Sequence, residues 1–191
     1  MFSKEYRMLS FVPRWGIAPR ITTQSVAEHC FYVALYASQI AQALDLTVPL
    51  QLEIVNWALR HDAPEVWTSD MPGPGKRYIL DEAKLADYIQ KFGKRVPDFA
   101  QAQTDSVLVA KVIKTADLVD EILYLGFEEH MGNALVMSVR MFAVKRLTEH
   151  VQWFKQNNFG DEIGRRILHS IADEYSRIGV EGATIPAMEE L

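Results

Sequence analysis

The stretch "SVAEHCFYVALYASQIAQAL", residues 25–44, decides the fold. Val26, Cys30, Val33, Ala34, Ala37, Ile40 and Ala41 recur at helical spacing and form one apolar stripe. Ser25 stands at the cap with Glu28 three residues on, a pairing that satisfies two exposed N–H groups at a helix start. Outward from this segment the same period dominates. A second helix is expected over 49–61, with Pro49 near its start. Pro64 forbids simple continuation and implies a short helix over 64–68. "DMPGPGKRY", 70–78, holds two prolines and two glycines and reads as a loop. Helices follow at about 80–93, 101–128, 133–157 and 161–178. No run alternates in strand fashion between hairpin turns, and no repeat or linker divides the chain. The expectation is an all-α single domain over 1–181, a bundle of six or seven helices, with 182–191 as a frayed tail.

Bulk properties bound the function. A chain of 191 residues, 49% hydrophobic and 24% charged, is long enough to bury a core and reads as ordinary globular protein. A net charge of -5 argues against a nucleic-acid polymer as partner, which wants a basic face. A small anion needs only a local basic pocket. The single cysteine, Cys30, excludes an internal disulfide and fits a reducing compartment. The opening "MFSKEYRMLSFVPRW" carries charges where a signal peptide needs an apolar run, and no window reaches the ~18 apolar residues of a membrane span. A cytoplasmic protein without membrane partner is expected.

The chemistry concentrates in "ALRHDAPEVWTSDMP", 58–72, which sets four ionisable groups among apolar residues. His61 and Glu65 are four apart, and Asp62 and Glu65 three apart. Imidazole plus carboxylate suits zinc, manganese, cobalt or iron. The plain alternative is that His61 caps one helix and Asp62 the next. Two further helices bring ligand types into apolar settings. His29 lies in the first turns of the capped helix, where a satisfied core histidine is the alternative. Asp117 sits in "KVIKTADLVDEIL", and a buried aspartate requires a metal, a cation or several donors, with Lys114 as its local candidate. His29, His61, Asp62 and Asp117 together fit a metal shell with positions open to water and substrate. His130, His150 and His169 sit amid charges and read as surface residues. Glu128 and Glu129 read as solvent-facing. Trp57 with Leu52, Val55 and Leu59 reads as core. Trp153 and Phe154 cap an amphipathic helix whose apolar face is expected to bury a subunit contact, making a homo-oligomer.

The order His29…His61-Asp62…Asp117 resembles the HD-domain metal phosphohydrolases. "RWGIAPRITTQSVAEH" followed by "HDAPEVWTSDMPGPGK" is similar to the bacterial 5′-deoxynucleotidase branch of that superfamily. There, Arg-Trp precedes a Ser-x-x-Glu-His helix, and the HD pair is followed by a glutamate, Asp-x-Pro and a lysine. The resemblance covers about 5–130, and beyond it only the helical pattern agrees. Ile17, two residues after Trp15, together with Pro74, is similar to the phage dATP triphosphohydrolase subfamily of 2-aminoadenine phages. The resemblance implies that such residues crowd the purine edge at C2.

Each side chain then has an expected role. The four ligands hold a divalent transition metal (cobalt, manganese or zinc), and the phosphates can carry in a second divalent ion. Glu65 is the candidate acid/base group, with an exposed helix carboxylate as the alternative. Asp70 orients water, holds a sugar hydroxyl, protonates the leaving oxygen, or merely caps the turn before Pro72. Trp15 offers a flat face for a base, worth roughly 1–3 kcal/mol, or is a core residue. Arg14, Lys76 and Lys114 neutralise phosphates, while Arg20 and Arg77 are further candidates, with a merely solvated cation as the favoured reading of each. The function expected is hydrolysis of deoxyadenosine nucleotides, dATP foremost, to deoxyadenosine and tripolyphosphate. A 5′-deoxynucleotidase releasing phosphate from monophosphates is the enzymatic alternative. A non-catalytic nucleotide sensor is the alternative from another class.

Overall fold

In the computed structural model, residues 5–71, 83–84, 87, 91, 106–159 and 161–177 are described. Among them the chain is helical, with one isolated bridge between Pro13 and Ser25 and no other strand pairing. The α-helices are α1 (Glu5–Met8), α2 (Val26–Ala43), α3 (Val48–Ala58), α4 (Glu65–Thr68), α5 (Val107–His130), α6 (Met137–Gln156) and α7 (Asp161–Arg177). Short 3-10 turns at Leu9–Phe11 and Ala134–Val136 follow α1 and precede α6. The expected helix over 80–93 falls largely outside the described residues; 83, 84, 87 and 91 within it are helical. The loop 72–78 and the tail 182–191 also lie outside them. No described helix is long and apolar enough to cross a membrane.

Helix α2 forms as its sequence dictates. Ser25 Oγ accepts the Glu28 N–H at 3.2 Å, and Glu28 Oε2 accepts the Ser25 N–H at 2.7 Å. All seven residues of its apolar stripe are buried. It ends where Asp45 takes the left-handed conformation (φ 53), with Leu46 N–H on the Ala41 carbonyl and Asp45 N–H on that of Gln42. That pair of bonds satisfies the last carbonyls of the helix.

Helix α5 is the centre, packing against α2, α3, α6 and α7. Val112, Leu118 and Ile122 from α5 meet Ile54 and Ala58 from α3, Leu147 and Phe154 from α6 and Leu168 from α7 in one core. Phe154 is fully buried there, whereas Met137, Met141 and Phe142 in the first turns of α6 are 52%, 41% and 51% exposed. The helix on which a subunit contact is expected is thus covered at Phe154 and open at these three residues. In α3 the expected stripe is off by part of a turn. Val55 and Trp57 pack on the core, but Leu52 and Leu59 are 61% and 43% exposed, and Ile54 and Ala58 take the buried positions. α3 also stops at Ala58, three residues early, because the chain tightens into turns before Pro64.

Two expectations about acidic residues fail for one reason. Glu128 is fully buried, and Glu129 pairs with Arg140 at 2.8 Å in a nearly enclosed contact. Glu128 accepts the N–H groups of Ile21 and Thr22, both at 2.7 Å, the Thr22 hydroxyl, and the Asn133 amide at 2.8 Å. This carboxylate fastens the segment between Phe11 and Ser25 onto α5. His150 is half-buried rather than on the surface. Burial, then Lys111, Lys114 and Arg146, push its pKa down to about 4. His130 and His169 are exposed as expected.

Two predictions follow from this packing. Burial alone would raise the Glu128 carboxyl, but the bonds from Thr22, Ile21 and Asn133 bring it down to about 2 from an ordinary 4.5. Its folded value lies below its unfolded value, so its contribution is present above about pH 4.5 and fades as pH falls toward 2. Glu128→Gln is expected to remove on the order of 3 kcal/mol at neutral pH and flatten the acid limb of an unfolding curve. Gly164 packs so that an added Cβ would lie 2.1 Å from Val151 Cγ1. Gly164→Ala is expected to destabilise by about 1–3 kcal/mol in urea unfolding, despite alanine's better helix propensity.

Candidate metal centre

The expected ligands come together from three elements. His29 projects from the second turn of α2, His61 and Asp62 from the turn between α3 and α4, and Asp117 from the middle of α5. One ligand atom each from His29, His61 and Asp117 lies within 4.8 Å of the others. Asp62 Oδ2 is 3.4 Å from both His29 Nε2 and His61 Nε2, and Asp117 Oδ1 is 3.3 Å from His29 Nε2.

Protons on the far nitrogens settle what the near ones offer. His61 Nδ1 donates to the Ala58 carbonyl at 2.7 Å, and His29 Nδ1 donates to Asp120 Oδ2 at 2.6 Å. With the rings neutral, each Nε2 offers a lone pair, and both Nε2 atoms are buried with no hydrogen-bond partner. In that state two lone pairs and two carboxylates face one another. A proton on His29 satisfies such a set, and so does a divalent transition metal, which neutral imidazole with carboxylate suits. Burial and the Arg14 charge push the His29 imidazole down, yet bonds with Asp117, Asp120 and Asp62 carry it up to about 10. The same field that holds a proton there favours a metal ion. Asp117 sits well below the usual carboxylate range: its burial is outweighed by Lys114 first, then by His29.

Glu65 opens α4 beside this cluster and is 3% exposed, which removes the reading of an exposed helix carboxylate. Arg14 is largely enclosed. Burial works against its charge, but Asp117, Asp62, Asp120 and Asp70 more than offset it. Lys114 is ion-paired with Asp117, the local partner its spacing implied.

The loop bearing Arg14 and Trp15 is held in an unfavourable backbone state. Trp15 has φ 64, and Ser69 has φ 61 with ψ 168, conformations costing roughly 1–3 kcal/mol each in a non-glycine residue. Asp70 Oδ2 accepts the Trp15 N–H at 2.8 Å, so the Ser69 twist aims Asp70 at the Trp15 twist. Arg20 Nη1 donates to the carbonyls of Arg14 and Trp15 at 2.8 and 2.9 Å. Arg20 is therefore a brace on this loop, not a merely solvated cation. The Trp15 ring stacks on Tyr124 with centroids 5.6 Å apart and planes 5° from parallel. Ile17 is 79% exposed. Pro74, Lys76 and Arg77 lie outside the described residues.

Three functional residues were not singled out from sequence. Asp120, 3% exposed, takes His29 Nδ1; Gln24 donates to Asp120 at 3.0 Å; Glu128 anchors the loop. Asp120 had a usable signal, a second aspartate three residues after Asp117 on the same helix face. Beside them a groove of about 870 Å³ runs between α2, α5 and α7. Its lining includes Gln24, Asp120, Tyr36 and Tyr124 but none of the four ligands.

A divalent ion should therefore bind one per chain and stabilise the fold. With cobalt at about 100 times its Kd, the folded state gains roughly 2.7 kcal/mol. The expected result is a rise in Tm for the natural sequence that is absent in His61→Ala, followed by thermal melts with and without cobalt.

Comparison with known proteins gives the chain a family. The sequence profile described as 5′-deoxynucleotidase YfbR-like matches residues 1–163, well past the 5–130 of the motif resemblance. The chain is 29% identical over 158 residues to a dATP triphosphohydrolase of Acinetobacter phage SH-Ab 15497, covering 76% of this chain and 77% of that one. It is 31% identical over 142 residues to the 5′-deoxynucleotidase ECA3034 of Pectobacterium atrosepticum, covering 66% of this chain and 71% of that one. Its fold is similar to that of the cyanophage S-2L HD phosphohydrolase DatZ bound to dA and one catalytic zinc ion. There the TM-score is 0.70 at 20% identity, over 91% of this chain and 98% of that one. With its two histidines and two aspartates converging as such an enzyme requires, the chain belongs to the YfbR-like 5′-deoxynucleotidase family of HD-domain phosphohydrolases.

Proposed function

We propose that this enzyme hydrolyses dATP to deoxyadenosine and tripolyphosphate. The observation that carries the reading is the meeting of the His29 and His61 Nε2 atoms with the Asp62 and Asp117 carboxylates, beside buried Glu65 and enclosed Arg14. The phage relative bearing that activity's name, aligned over 76% of the chain, supports the choice of substrate.

His29, His61, Asp62 and Asp117 would hold the ion, taken here as cobalt, manganese or zinc. When bound it supplies Lewis-acid polarisation of a phosphoryl oxygen and lowers the pKa of a water toward ~7. Glu65 accepts the proton of the water that attacks the α-phosphorus. The bond from phosphorus to the 5′-oxygen breaks, and that oxygen leaves with a proton returned by Glu65 or Asp70. Asp70, already clamping Trp15, can instead receive the sugar hydroxyl. Arg14 and Lys114, with Lys76, neutralise the phosphates, which can bring in a second divalent ion. Trp15 stacks the base, and Ile17 with Pro74 lines the purine edge at C2. We also assign the enzyme to the cytoplasm, that of the host if the chain is phage-encoded, where deoxynucleotides are made. We retain a homo-oligomer, now resting on Phe31 and Leu35, which α2 leaves 54% and 45% exposed.

A second reading, a 5′-deoxynucleotidase acting on monophosphates, is favoured by one observation. Lys114 is already engaged by Asp117, which leaves less cationic charge for a long phosphate tail.

Phosphorus NMR after adding dATP with cobalt or manganese separates the two. Tripolyphosphate is the expected first product. Orthophosphate from dAMP, with dATP untouched, would establish the second reading. Equal turnover of dATP and dGTP would remove adenine selectivity and the role of Ile17 and Pro74. Glu65→Gln is expected to lower kcat by about 10²–10⁴ with cobalt still bound.

A further inference from the structure

We infer that Asp120 is a positioning residue that ties the metal centre to the substrate-facing loop through one oxygen atom. The inference rests on the reading above, that the site acts on a phosphate ester with a divalent ion held by His29. Asp120 Oδ2 receives three donors: His29 Nδ1 at 2.6 Å, Gln24 Nε2 at 3.0 Å and Arg14 Nη1 at 3.3 Å. Arg14 Nη1 also lies 2.6 Å from His29 Nδ1, so the guanidinium, the imidazole and the carboxylate oxygen meet at one point. The carboxylate is 3% exposed, and water cannot stand in for it.

Each branch does separate work. Toward α2, Asp120 fixes which ring nitrogen of His29 carries the proton, turns Nε2 toward Asp117 and Asp62, and raises the basicity of that ligand. Toward the loop, it holds the Arg14 guanidinium against the cluster. Gln24 closes the frame: its Oε1 accepts from Arg14 Nη1 at 3.3 Å, and its carbonyl accepts the Arg14 backbone N–H at 2.8 Å. Arg14 Nε is buried with no partner, so the guanidinium is placed with a donor to spare. Removing the Asp120 charge therefore strikes two functions that lie on different elements. A residue serving only stability would strike neither.

Asp120→Asn, nearly the same shape, is the direct test. Cobalt affinity is read by competition with a chromophoric chelator, and KM and kcat at saturating cobalt. The expected result is a Kd for cobalt raised roughly 10- to 100-fold, together with a raised KM and a smaller change in kcat. Unchanged cobalt affinity with unchanged KM, even alongside a lower Tm, overturns the inference. Should the variant fail to fold, the natural protein still decides the first branch. With zinc bound, long-range proton–nitrogen NMR of His29 is expected to show the metal on Nε2 and the proton on Nδ1, and the reverse arrangement overturns the inference. Cobalt affinity and the His29 tautomer need no substrate. Failure of the natural enzyme to hydrolyse dATP or dAMP would sink the functional reading and leave these two readouts standing.

Discussion

Three carboxylates buried on one helix set the terms for the rest of the molecule. A buried carboxylate without partners is costly, so Asp117, Asp120 and Glu128 each demand positive charge or hydrogen-bond donors from elsewhere in the chain. Each is answered differently. Asp117 draws Lys114 and faces the two imidazoles. Asp120 draws an imidazole, an amide and a guanidinium. Glu128 draws two backbone N–H groups, a hydroxyl and an amide. The helix α2, the turn at His61 and the loop at Arg14 are where they are because these groups must be met.

The answer also explains why the site is made from distant pieces of chain. The core that surrounds α5 fixes its height and rotation, since Leu118 and Ile122 point away from Asp117 into the packing of α3, α6 and α7. A rigid rail of this kind positions ligands better than a loop does, and the mobile alternatives for His29 are removed by the capping box one turn below it. Among the described non-glycine residues, left-handed backbone falls at Trp15, Asp45, Ser69 and Asn158, and Asp70 links the first and third of these.

What the sequence discloses divides along the range of the interaction concerned. The cap at Ser25, the stripe of α2 and the Lys114–Asp117 pair are local, three to four residues apart, and all are readable. The candidate metal ligands are far apart in sequence but are recognisable because histidine and aspartate in apolar surroundings require an explanation. The faces of Leu52 and Leu59 were misjudged because α3 has apolar residues on more than one face, and only packing against α2 and α5 selects Ile54 and Ala58. Glu128 was misjudged because its donors are backbone N–H groups more than a hundred positions away, which carry no side-chain signature. Asp120 is set apart from the other charges of α5 by Arg14 and His29, which share it and lie about a hundred positions away in the chain.

The segment from Arg14 to Gln24 is pinned at Asp120, at Asp70 and at Glu128, and its two ends are bonded to each other. Such a segment has no slack. Lengthening it by a single residue would pull at least one anchor out of register, so variation in its length is closed to descendants of this scaffold. Change of side chain is not. A Cβ added at Gly16 meets nothing within 4 Å, and Ile17 beside it stands in open solvent. Variation in this segment is therefore open at these two side chains, where a substitution disturbs no packing.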